Sequence, residues 1–135
     1  MPVRLEHIHQ PTEADFNDLN KIHAETAPDG FRPDAASLQQ FLADGGWIMA
    51  GRFNDRIIGA VLAKEGEQGV VISDAGVRAI TQRRGVMHQM LHLMQRWADQ
   101  QQQSLQLESV PDYLQGALTR RHFQLINGIF IYNPA

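Results

Sequence analysis

The segment Gln82-Arg83-Arg84-Gly85-Val86-Met87 most constrains the fold, because it joins a short apolar run to a long helical pattern. The run before it, residues 70–77, is typical of a strand, and the pattern after it continues to about Gln101. A strand that becomes a helix through a glycine leaves unpaired backbone N–H groups at the helix start. Together with the positive end of the helix dipole, these groups form a site for a phosphate or pyrophosphate. The same segment could equally be a plain strand–turn–helix with solvated arginines.

The local charge favours the anion-binding interpretation. The chain has a formal net charge of −3 at pH 7, yet residues 75–98 contain no carboxylate. The same stretch contains four arginines, namely Arg78, Arg83, Arg84 and Arg96. A block of positive charge in an acidic chain predicts an anionic ligand. Nucleic acid is not expected as a partner, because its binding usually needs a basic domain.

Composition sets the limits within which this site must be built. The chain of 135 residues fits one domain over residues 1–135. Its hydrophobic share of 43% is ordinary, and no apolar run approaches the ~20 residues that span a bilayer. The N-terminus has no apolar secretory core, so we expect a cytoplasmic protein without a membrane anchor. With no cysteine, disulfides, thiolate metal sites and cysteine nucleophiles are excluded.

The remaining patterns predict the element order β-α-α-β-β-β-α-β-α-β-β, which implies a mixed sheet with helices on its faces. Thr12 and Asp15 are spaced as a capping box, and Asn54-Asp55 and Asn127-Gly128 are typical of hairpin turns. The predicted strands cover residues 3–8, 47–53, 56–63, 70–77, 105–110, 123–126 and 129–132. The predicted helices start after Thr12, at Asp34, near Gln82 and at Pro111.

With this order, the glycine motif makes the chain resemble the GNAT acyl-CoA N-acyltransferase fold, an α+β fold whose central, mostly antiparallel sheet carries helices on both faces. Residues 82–85 fit the motif Gln/Arg-x-x-Gly-x-Gly/Ala. Met87 stands where the motif has a small residue, and we expect its side chain to turn toward the core while its N–H faces the ligand. Over residues 47–88 the likeness is closer. The stretches Arg52-Phe53-Asn54-Asp55-Arg56-Ile57-Ile58-Gly59-Ala60-Val61 and Val77-Arg78-Ala79-Ile80-Thr81-Gln82-Arg83-Arg84-Gly85-Val86 resemble the PanZ (PanM) family.

This resemblance implies a protein that binds acetyl-CoA or CoA and associates with aspartate decarboxylase (PanD). Members of the family promote self-cleavage of the decarboxylase and regulate pantothenate synthesis. Backbone groups of Ala75, Gly76 and Val77 would pair with the pantetheine arm as if it were an added strand. The pyrophosphate would be held by Thr81, Gln82, Arg83, Arg84, Gly85, Val86, Met87 and His88.

The resemblance also implies that Arg52 and Asn54 face the partner protein. Without it, the same two residues are a hairpin corner with solvated side chains.

An active N-acetyltransferase, acting on a small amine or a protein amine, is the alternative function. Such enzymes often use a tyrosine acid, which the resemblance places at Leu118, whereas Tyr113 lies more than a turn away. Asp74 and Glu108 are the candidate bases, and no catalytic residue is assigned. A third interpretation is a GNAT-like binding module whose cofactor site has decayed.

No metal site is predicted from the sequence. His88 and His92 are spaced i, i+4, which could place both on one face of a helix. No acidic third ligand is implied near them, so we do not expect a bound metal.

Overall fold

The structure is a computed structural model that describes residues 2–81 and 85–135. Its elements confirm the predicted order. They are β1 (Arg4–Ile8), α1 (Glu13–Thr26), α2 (Ala35–Ala43), β2 (Trp47–Phe53), β3 (Arg56–Gly66), β4 (Gly69–Val77), a 3₁₀ turn (Ala79–Thr81), α3 (Val86–Gln101), β5 (Leu105–Leu107), α4 (Asp112–Arg120), β6 (Gln124–Ile126) and β7 (Ile129–Tyr132).

The strands form one sheet in the order β1-β2-β3-β4-β5-β7-β6. In the described part of the chain, β4 and β5 are parallel and the other neighbouring pairs are antiparallel, which confirms the predicted α+β fold. Both predicted hairpin turns are present. Asn54 and Asp55 have φ of 48° and 65°, and Asn127 and Gly128 have φ of 51° and 81°. These left-handed pairs match the twist of the flanking strands.

Helices cover both faces of the sheet. On one face, α1 and α2 bury Leu19, Ile22 and Leu38 in a cluster with β2 and β3. On the other, α3 and α4 bury a larger cluster in which Met90 and Met94 are fully enclosed. The methionines of α3 are therefore core residues, as predicted.

Three predicted boundaries were wrong. The third strand continues to Gly66 and does not end at residue 63. The fifth strand ends at Leu107 and not at residue 110, because β4 diverges from it beyond this point. The third helix begins at Val86 and not near Gln82, because Gly85 has a left-handed backbone that no α-helix continues through. Gln82, Arg83 and Arg84 lie outside the described residues. Among residues 2–81 and 85–135, none of the helices has the length and apolarity that a bilayer crossing requires.

Candidate functional site

A gap opens where the two parallel strands diverge. Pairing of Val70, Val71 and Ile72 with β5 ends at the bond from Glu108 N–H to the Ile72 carbonyl, 3.0 Å long. Beyond Ile72, the described part of β4 pairs only with β3. The predicted pantetheine-binding residues are Ala75, Gly76 and Val77. They lie along this stretch of β4, whose edge toward β5 has no partner strand among the described residues.

A β-bulge explains why the strands separate. Ser73 pairs with Leu62 and Gly76 pairs with Ala60, so Asp74 and Ala75 together oppose a single residue, Val61. Asp74 has φ of 59°, and such a bulge bends its strand and increases the local twist. The resulting gap is lined by Ile72, Ser73, Asp74, Ala75, Leu107, Glu108, Ser109, Val110, Pro111 and Leu114.

Among residues 2–81 and 85–135, no side chain blocks the first backbone donors of α3. Gly85 is the N-cap, with φ 72° and ψ 22°, and within the described residues no side chain caps the helix. Val86 and Met87 are 1% and 5% exposed, so both side chains point into the core. The Met87 side chain therefore lies in the core and does not cover the helix terminus, whereas the direction of its N–H toward a ligand stays a prediction. An anion here would meet N–H groups and the positive end of the dipole.

Two members of the predicted arginine block do not belong to this site. Arg78 binds Glu25 through Nε–Oε1 (2.7 Å) and Nη2–Oε2 (3.3 Å). The hydrogen bond from Arg78 lowers the pKa of Glu25, so the pair is ionised and its charges cancel. Arg96 lies about 16 Å along α3 from Gly85. The remaining pair, Arg83 and Arg84, lies outside the described residues.

Two further residues predicted to hold the pyrophosphate, Thr81 and His88, lie on either side of the turn in different surroundings. The Glu25 carboxylate also accepts the Ala79 N–H at 2.9 Å, which ties α1 to the 3₁₀ turn. The Thr81 hydroxyl donates to the Arg78 carbonyl at 2.9 Å, and the residue is 3% exposed. His88 is exposed on α3. Thr81 therefore shapes the turn, whereas His88 faces solvent.

Of the two candidate bases, Asp74 is buried and ion-paired. Its carboxylate binds Arg32 and accepts the Ser73 hydroxyl at 3.1 Å. The hydrogen bond from Arg32 to Asp74 raises the pKa of Arg32. Glu108 is exposed at the edge of the gap. As arranged here, Asp74 neutralises a cation and is not available as a base unless Arg32 moves away.

A recess of about 710 Å³ adjoins the gap. It shares Ser109, Val110 and Pro111 with the gap, and Tyr113 on its wall is 68% exposed. Leu118 is fully buried, so the position that the resemblance gives to a catalytic acid faces the core. Pro28, Asp29, Arg32 and Asp112 complete the lining.

The hairpin turn that the resemblance assigns to a protein partner is fixed by hydrogen bonds within this chain. Arg52 donates from Nε to Glu6 Oε2 (2.6 Å), from Nη2 to Asp15 Oδ1 (3.1 Å) and from Nη1 to the Asp55 carbonyl (3.0 Å). Its side chain is only 11% exposed, whereas Asn54 is exposed at the tip of the hairpin. Arg52 thus clamps the hairpin to β1 and α1, and Asn54 is the more accessible of the two.

The lack of a metal site stays a prediction. His88 and His92 line a shallow recess together with Arg121. Across residues 2–81 and 85–135, no group of three or more potential metal-binding side chains occurs.

Sequence reasoning missed Glu25 and Arg32. Their partners, Arg78 and Asp74, lie 53 and 42 positions away along the chain. Both residues come from the α1–α2 region, and no sequence pattern places that region beside β4. No local pattern marks such a contact.

Comparison with known proteins agrees with the fold described above. The profile of a family described as "Acetyltransferase (GNAT) domain, PanZ" matches residues 2–124. No curated protein sequence matches the chain significantly.

Three solved structures illustrate the likeness of fold. YhhK from E. coli, solved bound to coenzyme A, has a TM-score of 0.66 and 23% identity, covering 98% of this chain and 99% of its own. Tetrahymena GCN5 has a TM-score of 0.76 and 12% identity, covering 100% and 97%. The PaiA N-acetyltransferase of Thermoplasma acidophilum, in complex with coenzyme A, has a TM-score of 0.65 and 8% identity, covering 97% of both chains. These similarities establish the fold, and the match over residues 2–124 shows that the chain belongs to the PanZ family of GNAT acetyltransferase domains.

Proposed function

We propose that the protein binds acetyl-CoA between the diverging strands β4 and β5 and at the start of α3. The observation that carries this proposal is the unpaired edge of β4 next to an N-terminus of α3 with a left-handed glycine and buried side chains. The pantetheine arm would pair with Ala75, Gly76 and Val77 in the manner of an added strand. The pyrophosphate would meet the N–H groups that follow Gly85, with Arg83 and Arg84 supplying charge.

A thermal-shift comparison tests this site. A ligand that binds only the folded state raises its stability by mass action, so acetyl-CoA should raise the melting temperature. The double variant Arg83→Ala, Arg84→Ala should lose most of that shift. The matched control Arg4→Ala, Arg96→Ala removes two exposed arginines elsewhere and should keep it. No shift in the unaltered protein would favour a decayed cofactor site and would refute the proposal.

We further propose that the protein regulates aspartate decarboxylase (PanD) in pantothenate synthesis, as the PanZ family resemblance implies. Support comes from the hairpin turn that resembles this family, which presents Asn54 to solvent on a rigid base formed by Arg52. A cytoplasmic location agrees with this role and stays a prediction.

Calorimetry with the decarboxylase, with and without acetyl-CoA, tests the regulatory role. If acetyl-CoA tightens the complex, the decarboxylase must tighten acetyl-CoA binding by the same factor. Asn54→Gly removes an exposed side chain at positive φ without backbone strain, and it should weaken the complex. Asn127→Gly makes the same change in the other hairpin and should leave the complex intact. No detectable association would remove the regulatory role while leaving acetyl-CoA binding in place.

An N-acetyltransferase activity is the second candidate, favoured by the recess of about 710 Å³ beside the gap. An amine acceptor there would lie near Asp74, Glu108 and Tyr113. This candidate requires steady CoA release with some amine, together with loss of release in Asp74→Asn or Glu108→Gln. A broad acceptor screen without turnover would count against it and would leave the regulatory proposal untouched.

A further inference from the structure

A second cavity, here called the tryptophan cavity, lies at the other end of the sheet. It has a volume of about 350 Å³ and is lined by His7, His9, Trp47, Glu65, Val70, Trp97, Gln101 and Gln103. Trp97 lies about 18 Å along α3 from Gly85. β4 runs from Gly69, near this cavity, to Val77 at the proposed pyrophosphate end. The cavity is therefore separate from the proposed acetyl-CoA site.

Its walls are aromatic. The His9 ring stacks on Trp47 with centroids 5.8 Å apart, and the His7 ring lies 4.8 Å from Trp97. Trp47 is 8% exposed and has the His9 ring stacked on it. Trp97 is only partly buried and presents more of its indole surface. Indole faces carry negative electrostatic potential from the ring quadrupole.

The histidine in the middle of this wall is neutral. The Trp47 Nε1–H donates to His7 Nδ1 at 3.1 Å, so Nδ1 is an acceptor and the proton is on Nε2. Burial, and then the neighbouring His9, lower the pKa of His7. His7 thus adds an aromatic ring to the wall without adding positive charge.

The lining contains a single acidic side chain. Among the described residues that line the cavity, Glu65 is the only carboxylate, and none is a lysine or an arginine. Glu65 pairs with Val70 across the end of β3 and β4, which places its backbone at the cavity margin. The exposed amides Gln101 and Gln103 supply further polar groups.

We propose that the tryptophan cavity binds a small organic ammonium ion. Indole faces beside a carboxylate are the combination that recognises alkylated ammonium groups. The volume lies near the lower limit of small-molecule sites, which suits a compact ligand. A hard divalent ion would instead need several oxygen ligands, and the described residues contain no cluster of three metal-binding side chains.

Intrinsic fluorescence provides a direct assay with choline as the probe. The chain contains two tryptophans, and both line this cavity, so the emission reports on it without a label. At about pH 8 a histidine of ordinary pKa is neutral. Choline chloride should then produce a saturable change, with sodium chloride holding the ionic strength constant. The uncharged carbon analogue dimethylbutanol should not produce a saturable change over the same concentrations.

A pair of matched variants tests the role of the carboxylate. Glu65→Gln should weaken choline binding by about fivefold, the change expected for loss of one ionic contact near the surface. Glu67→Gln, two residues further along in the turn that follows β3 and outside the cavity lining, should bind choline like the unaltered protein. Both variants should keep the thermal shift with acetyl-CoA. The proposal is overturned by an equal response to dimethylbutanol, by no saturation with choline, or by equal affinities of the two variants.

Discussion

At the scale of single residues, Gly85 combines a left-handed backbone with open space where a side chain would be. A Cβ built there meets no heavy atom of the described residues within 4 Å, so packing against them does not require glycine. The φ of 72° does, because an L side chain in this region costs about 1–2 kcal/mol. Gly85 directly precedes the first N–H groups of α3, where the proposed pyrophosphate would lie.

Gly85→Ala should therefore damage binding more than folding. Gly128→Ala is the matched control, because Gly128 has φ of 81° and its Cβ would also meet nothing within 4 Å. Each change should lower the free energy of unfolding by about 1 kcal/mol in urea titrations. Only Gly85→Ala should weaken acetyl-CoA binding, by about tenfold or more, because its new methyl group would lie directly before the N–H groups proposed to bind the pyrophosphate. Equal acetyl-CoA affinities in the two variants would contradict this.

Local residue pairs were predictable, and distant ones were not. The capping box was read from spacing alone, and Asp15 N–H does donate to Thr12 Oγ1 at 3.1 Å while Thr12 N–H donates to Asp15 Oδ2 at 3.2 Å. The Arg78–Glu25 pair joins residues from two elements and depends on how α1 packs on the sheet. Counting the charged residues along the sequence therefore overestimated the positive charge at the turn, because Glu25 neutralises Arg78.

At the scale of elements, the contact between α1 and β4 explains a glycine that the resemblance assigned to ligand binding. A Cβ on Gly76 would lie 2.8 Å from Thr26 Oγ1, 2.9 Å from Phe31 Cβ and 3.0 Å from Ile22 Cγ2. Thr26 cannot move aside easily, because its hydroxyl donates to the Ile22 carbonyl at 2.7 Å and accepts the Phe31 N–H at 2.9 Å. Gly76 is thus required by packing, whichever role its backbone has.

Gly76→Ala should lower the free energy of unfolding by about 1–3 kcal/mol, the usual cost of overpacking a filled site. Gly116→Ala provides the opposite case, because its Cβ would approach only the flexible end of Arg120, at 3.2 Å. Replacing glycine by alanine inside α4 should stabilise the protein by about 0.5–1 kcal/mol. Urea unfolding of both variants measures whether each change lowers or raises the free energy of unfolding. A neutral Gly76→Ala would show that α1 is less tightly held than the contacts indicate.

The elements themselves followed from periodicity, but the ends of those at the gap did not. The hairpins at Asn54-Asp55 and Asn127-Gly128 were predictable because a tight turn fixes its own geometry. The early end of β5 depends on a bulge at Asp74, and although aspartate tolerates positive φ, nothing in the surrounding sequence distinguishes a bulge there from a regular strand. A bulge is decided by pairing with the neighbouring strand, which a single sequence does not reveal.

At the scale of the whole molecule, the two proposed sites lie toward opposite ends of α3. The sequence predicted the first, because its glycine and arginines are contiguous. The tryptophan cavity draws its lining from β1, β2, β3, β4, α3 and two loops, so no segment of the chain shows it. Its central hydrogen bond joins His7 to Trp47, 40 positions apart.

That hydrogen bond links the stability of the molecule to pH. Protonation of His7 would place a hydrogen on Nδ1 against the Trp47 N–H, so the folded state resists it. Burial, and then His9, lower the pKa of His7 below its ordinary value of 6.5. The unfolded chain therefore takes up the proton first as the pH falls. This contribution to stability is full above pH 6.5 and is lost progressively below it, toward the folded pKa.

Urea unfolding between about pH 5 and 8 measures this dependence, in a range above the ordinary titration of carboxylates. The unaltered protein should lose free energy of unfolding as the pH falls through this range. His7→Gln keeps a neutral acceptor for the indole N–H and should show a shallower slope, whatever its absolute stability. Because the slope reflects only the difference in bound protons, a cavity left by the substitution would not imitate the result. Identical slopes in the two proteins would show that His7 is not the titrating group and that the indole contact does not hold it neutral.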